Sequence, residues 1–68
     1  MTYDIDLLFP PKRVKYIRTL LGLTQVQFAQ RIGVEPDMVR RWEGGKSQPM
    51  RARVLKALLE AERGIDGG

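Results

Sequence analysis

Three times along this chain a short run of apolar residues at three- and four-residue spacing is stopped by glycine: at Gly22, at Gly33 and at Gly44-Gly45. Glycine takes the left-handed conformation that ends helices without steric penalty, so this punctuation restricts the chain to short helices joined by tight turns. Pro10 and Pro11 suit a helix start, and Val14, Ile17, Leu20 and Leu21 form an apolar stripe, which predicts a first helix over about 11 to 21. Thr24 with Gln27 three residues on reads as a reciprocal cap for a second helix over about 25 to 32, whose inner face is Phe28, Ala29 and Ile32. Pro36 opens a third helix over about 36 to 43, with Val39 and Trp42 turned inward. A loop from Gly44 to Pro49 leads to a fourth helix over about 50 to 62, its buried face Val54, Leu55, Leu58 and Leu59. The expected fold is all-α.

With 68 residues there is room for one core, and a chain of this size buries only about 60% of its extended surface. It has no cysteine, so neither disulfides nor thiolate-bound metal can staple it, and helix packing must hold it, helped by dimerisation. The lack of cysteine, of a leader and of a stretch of 18 apolar residues leads us to expect a reducing, cytoplasmic setting and no membrane partner.

Charge is uneven. The net +4 hides an acidic start, with Asp4 and Asp6, and a middle from 10 to 63 that holds all 12 Lys and Arg against five carboxylates, a local net of +7. Such a basic body attracts polyanions, although on its own it also describes a solvated surface. Residues 1 to 9 alternate, with Tyr3, Ile5, Leu7 and Phe9 on one side, the period of a strand. An extended N-terminal arm over residues 1–10 therefore either pairs with a second copy or packs as a tail on the domain at 11–63, with a flexible tail at 64–68.

The second and third helices are joined by the three-residue turn Gly33-Val34-Glu35. This spacing lets one helix lie in the major groove of DNA while its predecessor braces on the backbone, and it needs a small residue such as Ala29 where the helices approach. The run from Leu21 to Ala29, followed by Ile32-Gly33-Val34 and by Val39 through Lys46, resembles the Xre family of helix-turn-helix proteins, which includes the Cro and C repressors of lambda-like phages and the antitoxins of toxin-antitoxin pairs. The resemblance spans about residues 12 to 62 and implies a compact four- to five-helix, lambda-repressor-like domain that binds double-stranded DNA as a homodimer.

Carried over residue by residue, the resemblance implies that Gln25 contacts a phosphate, with Thr24 and Gln27 beside it at the positive end of the second helix. Asp37, Met38, Arg40 and Arg41 match the groove-facing positions, and Arg41 is the first choice for a bidentate contact with guanine. Lys46, Ser47 and Arg51 resemble further phosphate contacts, which fix register without reading sequence. Arg18 and Glu43 match a structural ion pair, while Ala29, Gly33, Val39 and Trp42 are structural. The chain departs from the family where the third helix begins: Glu35-Pro36 replaces the usual Ser or Thr cap, and acidic Asp37 follows. Asp37 either accepts from a cytosine amino group or repels wrong sequences through nearby phosphates, and Glu35 suits the helix dipole.

Catalysis finds no support, because the chain has no His, no Cys and no convergent pair of carboxylates; no metal or cofactor is expected for the same reason. The leading expectation is a sequence-specific transcriptional repressor. The competing one is an interaction module, such as an antitoxin, whose main task is to bind a toxin or other protein partner through an exposed apolar patch.

Overall fold

The computed structural model describes residues 9 to 66, which form four helices and, among the described residues, no strand. They are α1 (Pro11–Leu20), α2 (Gln25–Ile32), α3 (Pro36–Glu43) and α4 (Ala52–Asp66). The all-α expectation holds, and the first three helices fall within a residue of their predicted bounds. The alternating segment before Phe9 lies outside the described residues. Phe9 itself is buried in the core, so the last apolar residue of that stripe packs on its own domain.

Local chemistry explains each end. Pro10 stands in the extended conformation before α1 and Pro11 opens it, where a missing N–H costs nothing. At the start of α2, Thr24 Oγ1 accepts from the Gln27 N–H at 3.1 Å while Gln27 Oε1 accepts from the Thr24 N–H at 2.9 Å, the predicted reciprocal cap. At its end Gly33 sits at φ 86°, ψ 35°, and both the Gly33 and Val34 N–H groups donate to the Ala29 carbonyl. That tight reversal sends the chain directly into α3, with Ala29 fully buried where the two helices meet.

The fourth helix departs from its predicted bounds at both ends. It starts at Ala52, two residues late, because Met50 and Arg51 remain in the loop and the Arg51 carbonyl accepts the first helical bond, from Leu55. It then runs through Gly64 to Asp66, across residues the sequence assigned to a tail. Gly64 faces Arg31 of α2, and Ile65 packs half-buried against the core, so tertiary packing outweighs the weak helix propensity of one glycine.

The core joins all four helices: Val14 and Ile17 from α1, Phe28 and Ile32 from α2, Val39 and Trp42 from α3, Val54, Leu58 and Ala61 from α4. α3 packs on α2 and α1, and α4 closes the far side against α1 and α2. This leaves the outer face of α3 without a helix over it. An unpredicted clasp ties α1 to α4: Arg13 donates from Nε and Nη2 to both Glu62 oxygens, at 3.1 and 2.7 Å, with its guanidinium 4.2 Å from the centre of the Phe9 ring. The hydrogen bond from Arg13 holds the Glu62 carboxyl below its ordinary value of 4.5, more than burial raises it.

Candidate nucleic-acid interface

α3 is eight residues long and sharply two-sided. Val39 and Trp42 are buried, while Asp37, Arg40 and Arg41 stand in solvent on the opposite face. The helix period places residues three, four and seven apart on one row, so Asp37, Arg40, Arg41 and Gly44 line up, and the loop brings Lys46 beside them. Together these five line an open recess of about 520 Å³ that carries three cations and one carboxylate. Three of the expected DNA-contacting cations thus converge on one concave surface beside the exposed helix.

Within this recess the Asp37 carboxylate is engaged. Its Oδ2 lies 3.0 Å from Arg41 Nε, one helical turn away, and its Oδ1 lies 3.8 Å from an Arg40 terminal nitrogen. The four-residue spacing carries this pairing in the sequence, and it competes with the contacts to bases and phosphates expected of Asp37.

Met38 does not share the recess. It points to the other side of α3, into a groove of about 550 Å³ whose apolar wall is Val34, Met38, Trp42, Pro49, Met50 and Val54, with Glu35, Arg51 and Arg53 at its rim. Met50 is 81% exposed there. The expected contacts of α3 and its loop therefore divide into a polar surface built on Arg40, Arg41 and Lys46 and a largely apolar one that includes Met38 and Arg51.

Arg18 and Glu43 form the expected pair. Arg18 donates from Nε and Nη2 to the two carboxylate oxygens, at 2.6 and 3.0 Å, and from Nη1 to the Leu23 carbonyl at 3.0 Å. The side chains are only 15% and 8% exposed, so the pair locks the end of α3 to α1 away from water. Gln25 joins it, its amide donating to Glu43 Oε1 at 3.3 Å. That bond holds Gln25 at the start of α2 and leaves its amide a second N–H for a phosphate. Thr24 and Gln27 use their oxygens in the helix cap, which leaves the Thr24 hydroxyl proton and the Gln27 amide N–H groups as donors.

Lys46 and Arg51 are exposed on either side of the loop. Ser47 is half-buried with its hydroxyl enclosed, and like the Trp42 indole N–H it has no hydrogen-bond partner among the described residues. To meet a phosphate the Ser47 hydroxyl must turn outward about χ1. Among the described residues no group of His, Cys, Asp and Glu is placed to hold a metal ion, and no helix is long and apolar enough to cross a membrane.

No curated protein and no solved structure matches the chain. A family model described as helix-turn-helix matches residues 14–61, which takes in all of α2, α3 and the buried Arg18–Glu43 pair. The chain belongs to the Xre/Cro/C1-type helix-turn-helix family of DNA-binding regulators.

Proposed function

We propose that the chain is a sequence-specific repressor that binds double-stranded DNA as a homodimer and reads the major groove with α3. The observation that carries this is the recess formed by Asp37, Arg40, Arg41, Gly44 and Lys46 on the outer face of α3, net positive and open, opposite a fully buried inner face. At about 1.5 Å per residue the eight-residue helix spans about 12 Å, enough for three or four base pairs. Arg41 reads a guanine through O6 and N7, and Arg40 contacts the adjoining base pair or its phosphate. Met38, which faces the apolar groove on the other side of α3, stands outside this reading surface. Gln25, Thr24, Gln27, Lys46, Ser47 and Arg51 hold the two strands of phosphates on either side.

So short a reading head specifies little sequence alone, and a two-fold dimer doubles it. In such a dimer the two α3 helices enter the groove about 34 Å apart, one helical turn. Occupancy of a site that overlaps a promoter blocks transcription. Selection of bound duplexes from a random pool at near-physiological salt tests this: enrichment of a two-fold symmetric motif with half-sites one turn apart supports it, and absence of any motif refutes it.

A protein-partner role has one observation in its favour, the apolar groove beside Met38 and Met50. If no motif is enriched and the chain still binds a protein partner through that groove, in a manner lost in Met50→Lys, the module is an adaptor of the antitoxin kind.

A further inference from the structure

We propose that Asp37 is a positioning residue that fixes how Arg41 presents its guanidinium to a base pair, and is not itself a reader of bases. This rests on α3 being the groove-facing helix.

A guanidinium has five N–H bonds in a rigid fork, and two of its edges can grip a guanine: the side edge that includes Nε, and the end formed by the two terminal nitrogens. Asp37 Oδ2 stands 3.0 Å from Arg41 Nε as an ion pair, so the carboxylate lies against the side edge. The end of the fork is the edge that stands clear of the carboxylate for O6 and N7. Asp37 is fixed to the first turn of α3, where its charge is favoured by the helix dipole, so the carboxylate gives a long flexible side chain a reference point on the helix.

The same carboxylate has a second effect. It faces Arg40 as well, at 3.8 Å, so two guanidiniums share one negative charge. The recess then carries a net +2 where three unopposed cations would give +3. Phosphates, which attract cations regardless of sequence, meet a weaker field and a repelling carboxylate, whereas a guanine edge meets the same oriented fork. Asp37 thus lowers indiscriminate binding while preserving the base contact. In water an exposed pair of this type is weak. At a base edge from which water is excluded its electrostatic strength rises, so the effect appears on DNA more than in folding.

The experiment uses the duplex selected by the wild type and the same duplex altered at the base pair that Arg41→Ala relaxes. Affinities are measured by fluorescence anisotropy across a salt series for wild type, Asp37→Asn, Asp37→Glu, Arg41→Ala and the Asp37→Asn/Arg41→Ala double variant. Freeing one rotamer-rich side chain is expected to reduce discrimination at the Arg41 base pair about two- to ten-fold in Asp37→Asn. Binding of a random-sequence duplex strengthens, and the slope of log affinity against log salt steepens by up to about one ion. In the Arg41→Ala background, Asp37→Asn changes discrimination at no base pair. Asp37→Glu keeps the wild-type salt slope.

Unchanged discrimination in Asp37→Asn overturns the proposal. So does loss at a different base pair, or loss that adds to that of Arg41→Ala, either of which makes Asp37 a direct reader. If the wild type enriches no motif at all, the DNA-reading function itself fails and this role with it. Circular dichroism melting confirms that each variant is folded, as the exposure of both side chains leads one to expect.

Discussion

Glu43 is the residue on which the placement of α3 depends. It takes two hydrogen bonds from Arg18 and one from Gln25, joining three helices at a point only 8% exposed. A buried ion pair is held by its mutual satisfaction, so removing one partner strands the other. We expect Arg18→Met to destabilise the fold by about 3 kcal/mol, and Arg18→Met/Glu43→Leu to cost less than that single change, in urea melts. A double variant less stable than Arg18→Met would show that Glu43 is satisfied without its arginine. Nearer the start of α1, the Arg13–Glu62 clasp has a pH signature. Because the folded-state pKa of Glu62 is lowered, its contribution is present above the ordinary value of 4.5 and is lost as pH falls through the lowered one. Wild type is therefore expected to exceed Glu62→Gln by about 1 kcal/mol at neutral pH, with the difference closing in acid below 4.5. A gap that persists in acid would assign the effect to packing.

Among the helices, α2 is the most explicitly specified, by a reciprocal cap at one end and a left-handed glycine at the other. A Cβ at Gly33 meets nothing within 4 Å, so only the backbone conformation opposes substitution there. Gly33→Ala is expected to cost about 1–2 kcal/mol from that conformation alone, and Thr24→Ala about 1 kcal/mol from the lost cap. The two lie far enough apart to add in thermal melts, and a marked departure from additivity would mean the ends of α2 communicate. Devices of this kind are local, which is why α1, α2 and α3 could be placed from their caps and glycines. α4 could not be bounded as well: its extension past Gly64 is decided by Ile65 packing on residues distant in sequence. The same division holds at the site. Arg18 with Glu43 was legible only through the family motif, being 25 residues apart, and Asp37 with Arg41 was legible in principle from helical spacing. Arg13 with Glu62, 49 residues apart, and the Gln25 bond to Glu43 carry no sequence signal.

Across the whole molecule, the proposed function assigns general attraction to DNA to the excess of positive charge between residues 10 and 63, and selectivity to a few side chains on α3. These two contributions separate experimentally. Lys46→Ala and Arg51→Ala are each expected to reduce the salt slope by about 0.9 while leaving the preferred sequence intact. A changed preference in either would place that residue at a base edge. Arg41→Ala is expected to do the reverse, and it is the most direct test of α3 as the reading helix. On the site selected by the wild type, measured against single base-pair substitutions of it, Arg41→Ala should lose about 1–3 kcal/mol of discrimination at one G·C pair in each half-site. Equal discrimination at every position in Arg41→Ala and wild type would contradict the account and move base recognition off this face of α3.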